Sequence, residues 1–218
     1  MTEPSWTVVV PVKRLEGAKS RLRGALPGVP HEALALALAL DTVDAVLACD
    51  AVGAVLVVTD DTRVAAAVRA AGARVLPDAP DAGPDAAARL NAALRHGAAT
   101  AGGGLVAGLT ADLPALRPAE LGAALRAAGH LPGVRHFVAD APGDGTVLLA
   151  APAGVPLDPR FGVGSAAAHA ASGALSLAGA WPTLRRDVDT PADLAVAAGL
   201  GLGPRTATLA AGCCPTPA

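Results

Sequence analysis

The chain has 218 residues, which suits one sizeable α/β domain with or without a small extension. Its net charge of −2 gives no general attraction to nucleic acid or membrane surfaces, and its three cysteines are too few for a disulfide framework. The polar N-terminus shows no secretory signal, and no apolar stretch is long enough to span a bilayer. We therefore expect a cytoplasmic protein with an aliphatic core that acts on small molecules.

A β-branched run from Trp6 to Val12 predicts a first, central strand. A basic loop, residues 13–23, follows it directly in a chain that is otherwise nearly neutral. Its cations are Lys13, Arg14, Lys19, Arg21 and Arg23. Cations at the carboxyl end of a strand suit a triphosphate, although the GxxxxGK[ST] motif is absent and a solvated basic turn is the alternative.

Strands and helices alternate along the rest of the chain. Further strands are predicted at 54–59, 74–76, 105–109, 136–140, 147–151 and 181–186, and helices at 31–48, 63–71, 86–100, about 118–130, from 165 and from 191. The LALALALAL run in the first helix alternates with period two, but it lacks β-branched residues and is interpreted as helical. This order predicts an α/β fold with about seven strands in a mostly parallel central sheet flanked by helices.

Two acidic segments lie where the predicted strands give way to loops. Asp112 follows the apolar run 105–109, and Asp187 and Asp189 are two residues apart, so they point the same way in an extended chain. Together they would form a hard-oxygen site for Mg²⁺. The pair 60–61 has a simpler explanation, because N-capping of the following helix accounts for it better than metal binding does, and Asp85 is likewise predicted to cap the helix at 86–100.

Residues 190–194 have their own structural explanation. Thr190 is a natural N-cap with Pro191 at the first helical position, and Asp193 completes a capping box. Asp187 and Asp189 precede this cap and remain free for another purpose.

A second anion pocket is predicted at the glycine loop, residues 161–165. Its glycines and a helix opening at Ser165 would present backbone N–H groups to a phosphate or carboxylate. His169 lies one turn further and either touches the same ligand or is a structural histidine. Asn91 offers both a donor and an acceptor, as a nucleobase edge requires, but an exposed helical asparagine is the simpler interpretation.

Cations for a triphosphate, carboxylates for Mg²⁺ and a second anion pocket together describe nucleotidyl transfer. A phosphate oxygen of the acceptor would attack the nucleotide α-phosphorus in line, and Lys13 and Lys19 would stabilise the departing pyrophosphate. No nucleophilic side chain is needed.

The chain resembles the guanylyltransferases of coenzyme F-420 (deazaflavin) biosynthesis, which act on 2-phospho-L-lactate or phosphoenolpyruvate. The resemblance covers nearly the whole chain except its last residues. It is carried by ordered motifs: VPVKRLEGAKSRL, LNAAL, TADLPAL, DGTVLLAAP, FGVGSAAAH and RRDVDTPADL.

The resemblance implies a Rossmann-like nucleotidyltransferase (MobA-like) fold, with GTP as the nucleotide substrate and Mg²⁺ as the cofactor. It implies metal binding at Asp112, Asp187 and Asp189, with Asp112 also catalytic beside Lys13 and Lys19. The nucleotide is expected at Lys13, Lys19, Arg21 and Asn91, and the acceptor at Thr146, Gly162 and Ser165. The family often has a longer DGTGTT stretch, of which only Gly145-Thr146 remains here.

The Ala- and Gly-rich composition looks like that of actinobacterial members, which implies phosphoenolpyruvate as the acceptor. The product would then be enolpyruvyl-2-diphospho-5′-guanosine, which a partner transferase of the same pathway would receive. The same chemistry on 2-phospho-L-lactate or 3-phospho-D-glycerate is the alternative.

Two more distant hypotheses remain. A nucleotidyltransferase for the molybdenum cofactor or a sugar phosphate would usually carry a glycine-rich GGxSxRxGxxK loop, whereas only Gly17 is present here. A non-catalytic nucleotide-binding scaffold would be expected to lack some of the three carboxylates. The sequence predicts one nucleotidyltransferase domain over residues 1–203 and a flexible tail at 204–218 that contains Cys213 and Cys214.

Overall fold

A computed structural model describes residues 5–78, 83–131 and 133–212. Seven strands form one sheet in the order β3-β2-β1-β4-β6-β5-β7. The strands are β1 (Trp6–Pro11), β2 (Val52–Val58), β3 (Arg74–Leu76), β4 (Val106–Leu109), β5 (His136–Ala139), β6 (Thr146–Ala151) and β7 (Leu175–Ser176). The helices are α1 (His31–Leu47), α2 (Thr62–Ala70), α3 (Ala86–Thr100), α4 (Pro118–Gly129), α5 (Ser165–Ala171), α6 (Pro182–Arg185), α7 (Pro191–Leu200) and α8 (Pro204–Ala211). The predicted α/β fold with a mostly parallel sheet is confirmed.

The first strand lies at the centre of the sheet, as its β-branched sequence predicted. β1 pairs in parallel with β2 on one side and with β4 on the other. β6 runs antiparallel to both β4 and β5, so the chain reverses in a hairpin there. As a result, the carboxyl ends of β1, β4 and β5 and the beginning of β6 meet at one edge of the sheet.

Aliphatic side chains fill both faces of this sheet, and glycine brings a helix close to one of them. α1 and α4 cover one face, with Val8, Val10 and Val57 in the shared core. α3 covers the other, where a Cβ built on Gly97 would lie 2.3 Å from Val9 Cγ1. Only glycine therefore permits the observed approach of α3 to β1 without displacing the strand.

The helix N-caps that the sequence predicted are confirmed. Asp61 caps α2 by accepting from the backbone N–H groups of its first turn, and Asp85 caps α3 in the same manner. Thr190 and Asp193 form the reciprocal capping box at the start of α7.

The strand predicted at 181–186 is wrong, because Pro182–Arg185 form the short helix α6. Pro182 at its first position cannot donate to a sheet, and Glu120 Oε2 accepts from the N–H groups of Thr183 and Leu184. The edge position beside β5 belongs instead to β7, a two-residue strand that the sequence analysis did not predict.

The flexible tail predicted from residue 204 is also wrong over residues 204–211, which form α8 and pack against α1. Asp41, buried in α1, accepts from the backbone N–H groups of Arg205 and Thr206 at 3.0 and 2.8 Å. This carboxylate binds two otherwise unpaired donors of the first turn of α8. Cys213, Cys214 and the rest of the predicted tail lie outside the described residues, as do residues 79–82 of the loop before α3.

Candidate active site

The candidate active site lies where the carboxyl ends of β1, β4 and β5 meet the start of β6. Leu109 pairs with Leu148, and the Thr110 N–H donates to Val147 O at 3.0 Å. This register places Thr146 beside the segment that leads from β4 to Asp112. The edge at which parallel strands end is the usual ligand-binding edge of an open α/β sheet.

Asp112 is held by its own loop and by the segment that carries the other two carboxylates. The next residue, Leu113, donates its N–H to the buried Thr42 Oγ1 at 2.9 Å. Asp112 O accepts from Val188 N at 3.0 Å. Val188 is fully buried between Asp187 and Asp189, so this bond brings the late acidic pair to Asp112. We refer to Asp112, Asp187 and Asp189 as the acidic centre.

Lys19 from the basic loop reaches into the acidic centre. Its Nζ forms ion pairs with Asp112 Oδ2 and with Asp189 Oδ1. Burial lowers the pKa of Lys19, but the two carboxylates outweigh that effect and raise it above its ordinary value. The ammonium therefore stays charged and bridges the two acidic segments.

Asp187 forms no ion pair with another side chain of the described residues. Burial, followed by the negative charges of Asp112, Asp189 and Asp140, raises the pKa of Asp187 from 3.8 to about 7. Clustered carboxylates of this kind favour binding of a cation, because a cation relieves their mutual repulsion.

The acidic centre fits Mg²⁺ by its chemistry. Asp112 Oδ1 is a buried carboxylate oxygen that lacks a hydrogen-bond partner among the described residues. Carboxylate oxygens are the ligands that Mg²⁺ prefers, and burial together with the neighbouring carboxylates raises the pKa of Asp187, so a cation here would relieve that cost. Within residues 5–78, 83–131 and 133–212, however, no three Asp, Glu, His or Cys side chains converge as a ready-made metal site. Metal binding by this set therefore stays a prediction.

The basic loop presents its other cations to solvent. Lys13, Arg14, Arg21 and Arg23 are exposed, and none of the four forms an ion pair within the described part of the chain. Partial desolvation, followed by the positive charges of Lys19 and Arg89, lowers the pKa of Lys13. The chain has only two lysines, Lys13 and Lys19, and both lie in this loop. The structure thus places Lys19 in the acidic centre and Lys13 near enough to feel the charges of Asp112 and Asp189.

Two glycines give the glycine loop its shape. Gly162 has φ +141° and Gly164 has φ +69°, values that side chains disfavour. Contrary to the sequence-based expectation, several N–H groups of this loop are already bonded within the protein. Gly164 N donates to Asp144 Oδ2, Ser165 N to Gly162 O, and Ala166 N to Asp144 O. The loop is therefore fastened to the 140–146 turn rather than left with all its donors free.

Thr146 and His169 form a buried pair beneath this loop. Arg160 N donates to His169 Nε2 at 2.9 Å, and His169 Nδ1 lies 2.9 Å from Thr146 Oγ1. Burial, followed by the charge of Arg135, lowers the pKa of His169 from 6.5 to about 4, so the ring is neutral at pH 7. Since Nε2 accepts, Nδ1 carries the proton and donates to Thr146 Oγ1. Of the two predicted interpretations of His169, its burial and contacts favour the structural one.

Asn91 contacts the glycine loop rather than standing free. Its Nδ2 donates to Phe161 O at 2.9 Å, and its Oδ1 accepts from Phe161 N at 2.8 Å. Both polar atoms of the amide are thus engaged by one backbone unit 70 residues away. Nucleotide binding by Asn91 remains a prediction, but this geometry gives the side chain a role at the opposite loop.

Two further acidic residues shape the site and were missed as functional candidates. Asp140 accepts from Gly143 N at 2.7 Å and from Gly145 N at 2.9 Å, which closes the turn before Thr146. Asp144 binds the glycine loop as described above. The available signal was local: an aspartate followed by glycines three and five residues later is typical of a side chain that closes its own turn.

Comparison with known proteins identifies the family. The family described as "Guanylyl transferase CofC like" matches residues 6–171. The chain belongs to this family. It is therefore a guanylyltransferase-family enzyme, and the nucleotidyl-transfer hypothesis drawn from its sequence is confirmed at that level.

Relatives of this guanylyltransferase-family chain match it over nearly their whole length. A phosphoenolpyruvate guanylyltransferase of Salinispora arenicola is 71% identical over 211 residues, covering 97% of this chain and 96% of the relative. Another protein of that name, from Geodermatophilus obscurus, is 56% identical and covers 95% of each chain.

Solved structures extend the similarity to the fold. A nucleotidyl transferase from Methanothermobacter thermautotroptrophicus matches with a TM-score of 0.62 at 21% identity, covering 91% of this chain and 98% of that one. A CMP:2-keto-3-deoxy-manno-octonic acid synthetase complexed with CTP matches with a TM-score of 0.54 at 18% identity, covering 90% and 98%. At these identities the likeness shows the nucleotidyltransferase fold alone. In the described part of the chain, no helix combines the length and hydropathy needed to cross a membrane.

Proposed function

We propose that this protein transfers GMP from GTP to phosphoenolpyruvate, which gives enolpyruvyl-2-diphospho-5′-guanosine and pyrophosphate. The observation that carries the proposal is the 71% identity, over nearly the full length of both chains, to a phosphoenolpyruvate guanylyltransferase. The structure adds compatible chemistry, because a cationic loop, a cluster of carboxylates and a second loop meet at one edge of the sheet.

The basic loop is the proposed site of the triphosphate. Lys13, Arg21 and Lys19 would neutralise the β- and γ-phosphates. The same cations would stabilise the negative charge on the pyrophosphate as it leaves. Asp112, Asp187 and Asp189 would hold Mg²⁺. When bound, this ion would supply charge neutralisation at the phosphates, which is the usual contribution of metals to phosphoryl and nucleotidyl transfer.

Thr146, Gly162 and Ser165 are the proposed contacts of the acceptor's phosphate and carboxylate. An oxygen of the acceptor phosphate would attack the α-phosphorus of GTP, and the bond from that phosphorus to the bridging oxygen of pyrophosphate would break. The protein itself need supply no nucleophile. Correct alignment of the two substrates alone is worth about 7–11 kcal/mol in favourable cases.

The product carries an enol ester next to a diphosphate, and we propose that a partner transferase of the same pathway receives it. That enzyme would use the diphosphate linkage as an activated donor and release GMP. Coenzyme F-420 biosynthesis, to which the family resemblance points, requires such a transfer to the deazaflavin alcohol.

Pyrophosphate release from GTP and Mg²⁺ tests the proposal, with phosphoenolpyruvate, 2-phospho-L-lactate and 3-phospho-D-glycerate supplied in turn. We expect release with phosphoenolpyruvate, and ATP and CTP in place of GTP serve as nucleotide controls. Release with another acceptor alone would keep the reaction class and refute the acceptor. No release with any acceptor, even with the partner transferase present to remove product, would refute the proposal.

A further inference from the structure

The basic loop is attached to the neighbouring strand-to-helix junction by one carboxylate, that of Asp61. We propose that Asp61 is a positioning residue for nucleotide binding, because it fixes the backbone of the basic loop while it caps α2. The inference rests on the proposed function, in which the basic loop binds the triphosphate of GTP.

Both carboxylate oxygens of Asp61 are used, and they serve different elements. Oδ1 accepts from Arg63 N at 2.9 Å and Val64 N at 3.1 Å, which caps α2. Oδ2 accepts from Leu15 N at 3.0 Å, across 46 residues of sequence. The N–H of Asp61 itself donates to the buried Thr59 Oγ1 at 3.1 Å, so the capping residue is held in place as well.

Leu15 is well placed to transmit this constraint to the cations. It follows Lys13 by two residues, precedes Lys19 by four, and begins a short 3-10 turn, Leu15–Gly17. Its side chain is 1% exposed and lies in the main core. Burial holds the Leu15 side chain, and the bond to Asp61 orients its backbone. Together they set the direction in which the chain leaves β1 towards Lys19.

Because Asp61 is charged, this role can be tested by whether the Kd for GTP rises or falls when its charge is removed. A carboxylate next to a triphosphate site repels the phosphates, so its neutralisation should tighten GTP binding if charge alone matters. Loss of the bond to Leu15 should instead weaken GTP binding, because the loop must then be ordered at the expense of binding energy. The two explanations therefore predict opposite changes in the Kd for GTP.

The test uses Asp61→Ser and Asp61→Asn. Serine is an N-cap about as good as aspartate, but its hydroxyl is too short to serve α2 and Leu15 together. Asparagine can accept at only one of its two polar atoms, so it too must give up one of the contacts. The matched control is Asp85→Ser, the same change at the N-cap of α3, where the carboxylate accepts from Ala88 N. The Kd for GTP in the presence of Mg²⁺ is measured by calorimetry, alongside Tm and the KM of each substrate.

We expect Asp61→Ser to bind GTP about three- to tenfold more weakly, the usual value of one such hydrogen bond, while its Tm stays near that of Asp85→Ser. The KM for GTP should rise and that for phosphoenolpyruvate should not. Hydrogen exchange at the Leu15 amide should become faster in Asp61→Ser and stay unchanged in Asp85→Ser.

Unchanged or tighter GTP binding in both Asp61 variants, with active wild-type enzyme, would overturn the role of Asp61 and leave the proposed function intact. Weaker binding matched by an equal loss in Asp85→Ser would also overturn it. A wild-type protein that binds no GTP would instead refute the proposed function, and the role of Asp61 in nucleotide binding with it.

Discussion

The basic loop and the glycine loop lie at one edge of the sheet but are built in opposite ways. The basic loop follows a strand, exposes Lys13, Arg14 and Arg21, and sends Lys19 into the acidic centre. The glycine loop has no charged side chain, and its backbone is tied to the protein by Asn91 and Asp144. The first loop offers charge, and the second offers a fixed shape.

This difference matches the two substrates of the proposed reaction. A triphosphate carries several charges on a flexible chain, so cations on long side chains can follow it. A small phosphorylated acid has few contacts and must be distinguished by shape, which a loop with a fixed backbone provides. Lys19 connects the basic loop to the acidic centre, and the charge of Asp140, which closes the turn before Thr146, acts on Asp187.

Asp189→Asn should have the largest effect, because it changes the acidic centre that both sides share. The side chain of Asp189 is 54% exposed, so the fold should persist. We expect kcat to fall by roughly 10²–10³-fold, the usual cost of removing one electrostatic contact to a transition state. The matched control is Asp50→Asn. Asp50 precedes β2, and its exposed carboxylate pairs with Arg126. Full turnover in Asp189→Asn would remove this residue from the site.

Lys19→Gln should affect the nucleotide side more than the acceptor side, although Lys19 also contacts the shared acidic centre. It removes the ammonium that contacts Asp112 and Asp189, and with it one of the two lysines of the basic loop. We expect kcat/KM for GTP to fall by about 10–100-fold, in proportion to the loss of one strong charge-assisted contact. Lys19→Arg should recover part of this loss. A change confined to the KM for the acceptor would reverse the assignment of the two loops.

Asn91→Asp should affect the acceptor side. The new oxygen would face Phe161 O, which now accepts from Asn91 Nδ2 at 2.9 Å. We expect the KM for the acceptor to rise about tenfold and the free energy of unfolding to fall by about 1–3 kcal/mol, because a buried acceptor loses its donor. If the KM for GTP rises instead, Asn91 reads the nucleobase, as its donor and acceptor atoms first suggested.

His169, which is buried beneath the glycine loop, should make the free energy of unfolding depend on pH in the acid range. Its folded pKa, about 4, lies below the ordinary 6.5, so the unfolded chain binds more protons between these values. Stability from the neutral ring is therefore present above pH 6.5 and is lost as the pH falls towards 4, by an amount on the order of 3 kcal/mol. Urea unfolding from pH 7 to 4 should show the stability of the wild type falling relative to that of His169→Gln. This comparison cancels the contribution of Asp187, whose raised pKa acts in the opposite direction over the same range. Parallel curves would mean that the ring does not titrate in this range.

The centre of the fold could be predicted from sequence because its signals are local. Runs such as Thr7–Val10 have strong strand propensity, and Asp61, Asp85 and Thr190 are recognisable N-caps. The acidic centre was also predictable, since each carboxylate follows a recognisable strand or precedes a recognisable helix.

The remaining features depend on contacts between distant residues, which leave no periodic pattern. The segment Pro182–Arg185 forms a helix because Glu120 caps it, and α8 forms where Asp41 binds its first turn. The attachment of Leu15 to Asp61 and of Phe161 to Asn91 spans 46 and 70 residues. No composition or spacing rule connects such pairs.

The central claim is that the two loops serve different substrates independently. A double-mutant cycle tests it most directly, with initial rates measured over both substrate concentrations for wild type, Asp61→Asn, Asn91→Asp and the double variant. We predict that Asp61→Asn raises only the KM for GTP, that Asn91→Asp raises only the KM for phosphoenolpyruvate, and that the two effects add within about 0.5 kcal/mol. Strong coupling, or a rise in the same KM from both variants, would contradict the account.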